Sequence, residues 1–124
     1  MPRMQGLHLT ADLHGCTAQA PAMTDPQALR ALCLAAVAQA GLQAVGELFH
    51  RYAGAGVTGV VLLAESHLAV HTWPELDAVT LDVYVCNFGA DNSARAHALM
   101  DTLVAAFGAR HSERHALHRG AAAA

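Results

Sequence analysis

The chain predicts an α+β fold: a two-layer sandwich in which a mostly antiparallel sheet carries two helices on one face. Three observations lead there. Apolar and polar residues alternate over 6–14, 67–73 and 79–86, the period of half-buried strands. Two other stretches, after Asp25 and after Asp91, carry apolar residues at helical spacing. The resulting order is strand, helix, several strands, helix and a candidate last strand.

The first strand sets Leu7, Leu9, Ala11 and Leu13 on one face and His8, Thr10, Asp12 and His14 on the other, and Gly15-Cys16 ends it. Asp25-Pro26 reads as an N-cap followed by proline at the first helical position. Leu29, Leu32, Cys33, Ala36, Val37 and Ala40 form the stripe of that helix, and Gly41 stops it. Residues 43–52 read as a weaker strand, with Val45, Glu47, Phe49 and Arg51 opposite Leu48, His50 and Tyr52; Gly54-Ala55-Gly56 is a turn. The nearly continuous apolar run 57–64 suits a central strand. Over 67–73, His67, Ala69, His71 and Trp73 share a face, and Pro74 ends the strand. Val79, Leu81, Val83 and Val85 then alternate with Thr80, Asp82, Tyr84 and Cys86. Asp91-Asn92-Ser93 caps a second helix bearing Ala96, Leu99, Met100, Leu103, Val104 and Phe107, closed by Gly108. Residues 110–118 are the candidate last strand, and 121–124 a frayed tail.

With 124 residues the chain supports one domain, 1–124, with one core. No apolar run approaches the roughly 18 residues that span a bilayer, so no membrane partner is expected. Met1–Gln5 lacks the regions of a signal peptide. Three cysteines, odd in number and far apart, point to reduced thiols and a cytoplasmic protein. The net charge of −3 and the lack of a basic patch argue against nucleic acid. Nine histidines invite a metal, but His67 and His71 fall on a strand, about 13 Å apart by strand rise. No Cys-x-x-Cys or His-Glu-x-x-His supports zinc, and His111, His115 and His118 read as surface residues; no metal is expected. All seven basic residues are arginine. Without lysine, the Schiff-base anchor of pyridoxal phosphate is closed, as is P-loop chemistry.

The densest polar chemistry lies in Ala64-Glu65-Ser66-His67-Leu68-Ala69-Val70-His71-Thr72-Trp73-Pro74-Glu75, entered from an apolar strand. Glu65-Ser66 sits between two strand-like segments, where a sharp reversal is expected. A serine hydroxyl there can attack the preceding carbonyl carbon and turn the peptide into an ester. Loss of the serine α-proton expels the Glu65 carboxylate and leaves dehydroalanine. Hydrolysis releases ammonia and leaves a pyruvoyl group at a new amino terminus. Such a reaction needs oxyanion stabilisation and an acid or base. His71 is near enough in sequence to fold back beside Ser66, and Thr58 offers a hydroxyl. The plainer reading is a hydrogen-bonded turn serine with a half-exposed histidine.

The stretch Glu65–Glu75 resembles the processing-site motif of the short prokaryotic S-adenosylmethionine decarboxylase proenzymes. His8–Cys16 looks like that family's first strand, His50-Arg51-Tyr52 and Gly56-Val57-Thr58-Gly59-Val60 like its His-Arg-Phe and Gly-Val-Ser-Gly segments, and Leu81–Cys86 like its cysteine-bearing strand. The resemblance covers most of the chain. It implies self-cleavage between Glu65 and Ser66 into 1–65 (β chain) and 66–124 (α chain), with Ser66 becoming the pyruvoyl cofactor. It implies His71 and Thr58 in processing, Cys86 as proton donor in turnover, and Tyr52, Trp73 and Glu75 in the substrate pocket, with Glu75 holding ribose hydroxyls. It also implies paired protomers with active sites near the pairing surface. The activity implied is decarboxylation of S-adenosylmethionine to the aminopropyl donor of spermidine synthesis. A pyruvoyl carbonyl condenses with the substrate amine and accepts the electrons left by carbon dioxide, which suits a chain without lysine.

The chain departs from the pattern at Thr58 for serine, Tyr52 for phenylalanine, and Asn87-Phe88 where many members have Gly-Asp. These leave room for ornithine or arginine as substrate, with Asp12 and Asp82 as candidate partners of a basic group, although solvated strand carboxylates are the more ordinary reading. A non-enzymatic, uncleaved ligand-binding paralogue is the remaining alternative.

Overall fold

The computed structural model describes residues 5–16, 20–87 and 89–120. Among these residues six strands make one sheet: β1 (Gln5–His14), β2 (Ala44–Arg51), β3 (Val57–Leu63), β4 (Ser66–Trp73), β5 (Ala78–Cys86) and β6 (His111–Gly120). Their order is β2-β3-β4-β5-β1-β6, with every neighbouring pair antiparallel. The helices are α1 (Ala20–Thr24), α2 (Pro26–Gln39) and α3 (Ser93–Phe107). The expected α+β sandwich is therefore present, with a third, short helix that the sequence did not announce. At five residues α1 is too short for periodicity to reveal; tertiary packing of Ala22 and Met23 holds it.

Local signals explain the longer helices. Asp25 accepts from the Gln27 N–H at 2.9 Å and Pro26 opens α2. Gly108, with φ 57, ends α3 in the left-handed conformation that glycine adopts cheaply. Leu29, Cys33, Ala36 and Val37 of α2 and Ala96, Leu99, Met100, Leu103 and Phe107 of α3 are buried against one face of the sheet. From the sheet side come Leu7, Leu9, Ala11 and Leu13, Leu68 and Val70, and Val79, Leu81, Val83 and Val85. Leu103 is fully buried, so its truncation to alanine costs about 2–5 kcal/mol.

Among the described residues no helix lies on the opposite face. Register aligns its residues in rows: His8, Tyr84, His67 and Leu62; Thr10, Asp82, Ala69 and Val60; Asp12, Thr80, His71 and Thr58. Leu48, Leu62, Trp73 and Leu117 stand exposed on it. The edge strand β6 is exposed along its whole length, which agrees with the surface reading of His111, His115 and His118. Phe88 and the 121–124 tail lie outside the described residues.

Candidate active site

Leu63 pairs with Ser66, so Ala64 and Glu65 alone make the turn between β3 and β4. Two-residue hairpin turns favour glycine, asparagine or aspartate where φ is positive. Glu65 holds φ 54 instead. A non-glycine residue pays about 1–2 kcal/mol for that left-handed conformation. Strain of this kind sits on the residue immediately before Ser66, the one whose carbonyl the expected serinolysis involves.

Ser66 is held from β5. Its Oγ accepts from the Cys86 backbone N–H at 3.0 Å. The Cys86 thiol lies 3.9 Å from Glu65 Oε2 and donates towards it. The register explains this trio: His67 pairs with Tyr84, and two residues further Glu65 and Cys86 come level. Cys86 belongs to the polar row of β5, as the alternation predicts, yet it is buried.

The remaining candidates gather at the other end of β4. Tyr52, Thr58, His71, Trp73 and Glu75 line one cleft of about 490 Å³, with Ala55, Gly56 and Thr72. Thr58 Oγ1 and His71 Nδ1 are hydrogen-bonded at 2.9 Å. The His71 and Trp73 rings lie 6.5 Å apart, and Tyr52 meets His50 edge-on at 4.7 Å. Gly56 runs so close to the Thr72 backbone that a Cβ has no room there. Thr72 itself is buried, accepting from the Val57 N–H and donating to the Met23 carbonyl, which locks the cleft floor.

One expectation is corrected. His71 does not fold back beside Ser66, because β4 runs unbroken between them. Five residues at about 3.3 Å each separate them by roughly 16 Å, and strand alternation turns them to opposite faces. The candidates thus form two separate groups: Glu65, Ser66 and Cys86 at one end of β4, the His71 cleft at the other.

Between them lies a cluster that sequence reasoning did not assemble. His8 Nε2 donates to Asp82 Oδ1 at 3.0 Å, and Tyr84 lies between His8, edge-on at 6.2 Å, and His67, stacked at 5.8 Å. Alternation placed all four on the polar face; only the β1–β5–β4 register shows that they meet. Asp82 is thereby committed to His8, while Asp12 stays exposed. Among the described residues no three histidine, cysteine or acidic side chains gather as a metal would require. Of the other two cysteines, burial pushes the Cys33 thiol up to about 12 and also raises that of Cys16.

Comparison with known proteins follows the same lines. The family described as S-adenosylmethionine decarboxylase matches residues 7–120. An S-adenosylmethionine decarboxylase proenzyme of Aquifex aeolicus is 34% identical over 120 residues, 97% of this chain and 84% of that protein. Another, from Symbiobacterium thermophilum, is 37% identical over 118 residues, 95% of this chain and 85% of that protein. The crystal structure of the Aquifex aeolicus adenosylmethionine decarboxylase superposes with a TM-score of 0.86 at 32% identity, covering 98% of this chain and 95% of that one.

Proposed function

Because the chain belongs to the S-adenosylmethionine decarboxylase family, we propose that it cuts itself between Glu65 and Ser66 and then decarboxylates S-adenosylmethionine. The observation that carries this reading is the left-handed Glu65 joined to a serine whose Oγ already accepts the Cys86 N–H. The strained turn presents the carbonyl; the Cys86 N–H orients the attacking oxygen. That same oxygen leaves with the Glu65 carboxylate when the chain parts, and the N–H stabilises the charge it acquires.

Ser66 suits the role of cofactor source, since cleavage frees its amino end at the start of a strand already tied to β5. When formed, the pyruvoyl group supplies an electron sink in place of pyridoxal phosphate. The chain's own residues do the rest. Trp73 and Tyr52 offer rings for the adenine and for the sulfonium cation. Glu75 offers acceptors for ribose hydroxyls. Thr58 fixes one nitrogen of His71 and leaves the other for proton transfer. The Cys86 thiol returns a proton to carbon.

Ser66 and His71 can serve one site only if two copies contribute to it. The helix-free face, with exposed Leu48, Leu62, Trp73 and Leu117, suits a second copy stacked against it. A homodimer in which the cleft of one protomer meets the Ser66 end of its partner completes the site. The alternative of ornithine or arginine finds less support, since Asp82 is taken by His8. Carbon dioxide release from S-adenosylmethionine, ornithine and arginine, assayed side by side, tests the substrate. Release from S-adenosylmethionine alone is expected; release from a basic amino acid, or none from any of the three, overturns the assignment.

A further inference from the structure

The loop after β5 contains an asparagine that is not doing the work its position predicts. Asn92 is the N-cap of α3, where an asparagine side chain ordinarily accepts an N–H from the first turn. It makes no such bond. The neighbouring Asp91 accepts the Ser93 N–H at 2.9 Å instead. The Asn92 side chain turns back towards β5. Its Nδ2 donates to the Cys86 carbonyl at 3.0 Å, while its Oδ1 accepts from Arg95 at 2.9 Å.

The peptide that leaves Cys86 is therefore fixed on both sides. Its carbonyl is held by Asn92, and its N–H, that of Asn87, donates to the Gln5 carbonyl of β1 at 2.7 Å. Asn87 also accepts the Asn92 backbone N–H at 2.7 Å through Oδ1, which closes the loop on itself. The N–H of Cys86 goes to Ser66. A last residue of a strand, with fewer ladder partners, would otherwise fray. A group that delivers a proton to one particular carbon must be held to within about 0.5 Å.

We propose that Asn92 is a positioning residue: by clamping the Cys86 carbonyl it aims the thiol at the substrate carbon that is to be protonated. This rests on Cys86 being the proton donor. It predicts a specific error when the clamp is lost. A proton delivered to the pyruvoyl-derived carbon, followed by hydrolysis in which water supplies the carbonyl oxygen, leaves the substrate's nitrogen on the chain as an amino-terminal alanine and releases the substrate skeleton as an aldehyde. Mass spectrometry of the 66–124 fragment after turnover counts those errors.

The test compares Asn92→Asp with Asp91→Ala. Asn92→Asp keeps a good capping residue of the same shape but replaces the donor facing the Cys86 carbonyl with an acceptor. Asp91→Ala removes the working cap and leaves the clamp in place. For Asn92→Asp, the Tm should hold, kcat should fall about tenfold with KM little changed, and alanine-ended chains should increase. For Asp91→Ala, the Tm should fall while the proportion of alanine-ended chains stays at the parent level. A fourth readout needs no catalysis: in uncleaved Ser66→Ala protein, Asn92→Asp should speed iodoacetamide labelling of Cys86 as the buried thiol loosens. Parent-like partition and labelling in Asn92→Asp overturns the proposal. So does an Asp91→Ala variant that matches it in both, since loosening of the loop would then suffice. If Asn92→Asp does not fold, Asn92→Ser, which also caps but lacks the amide, is read in the same way. Should the parent protein neither cleave nor decarboxylate, the functional reading fails by itself, and the labelling arm still decides the clamp.

Discussion

His71 Nδ1 lies 2.9 Å from Thr58 Oγ1, in the row where β3 and β4 pair these two residues directly. Ser66 begins the same strand, five residues away and on its other face. The pair proposed to prepare an imidazole for proton transfer is thus built where Ser66 of the same chain is out of reach.

That separation predicts complementation. Ser66→Ala alone and His71→Ala alone should each stay uncleaved. Co-expressed, they should form mixed dimers in which the Ser66 of the His71→Ala chain meets an intact His71, and cleaved His71→Ala chains should appear on a denaturing gel. Their absence from a verified mixed dimer would contradict a site shared between copies.

Cys86→Ala keeps the backbone N–H that holds Ser66 but loses the thiol. It should still cleave, with kcat lowered on the order of 100-fold and KM little altered. Steady-state kinetics on the cleaved variant checks this; undiminished turnover removes Cys86 from the proton-donor role.

The strain at Glu65 has a measurable size. In the uncleavable Ser66→Ala background, Glu65→Gly should stabilise the chain by about 0.5–1 kcal/mol, after allowing for the greater freedom of glycine in the unfolded state. Urea denaturation reads the difference, and an unchanged or lower midpoint would show that the turn stores no strain.

Cys33 gives the chain an alkaline limit. Burial lifts its thiol from 9.0 to about 12, so between those values the unfolded chain loses a proton that the folded chain keeps. Its contribution is complete below pH 9 and is lost as pH rises towards 12. Denaturation midpoints at pH 8 and pH 10.5 should differ more for the parent than for Cys33→Ala; equal differences would refute the linkage.

The strands, both long helices, the cap that opens α2 and the glycine that ends α3 were legible because each depends on local pattern: alternation in β1 and β5, Asp25-Pro26, Gly108. As candidates, the members of the site were legible too, through the Glu65–Glu75 motif and the segments that hold Tyr52, Thr58 and Cys86. Their grouping was not. Proximity in sequence suggested His71 beside Ser66, but a strand carries neighbours apart, and only the register of β3, β4 and β5 shows Cys86 with Ser66 and His71 with Thr58. The turn of Asn92 away from its helix was equally invisible, because the sequence offers Asp91, Asn92 and Ser93 as interchangeable caps.

The central claim is that Glu65-Ser66 is a bond the chain breaks in itself. Intact-mass measurement of purified protein after prolonged incubation tests it most directly. Two fragments, 1–65 and 66–124, the second beginning with a pyruvoyl group and lacking a free amino terminus, are the predicted result. A single uncut chain, stable on incubation, would contradict the account.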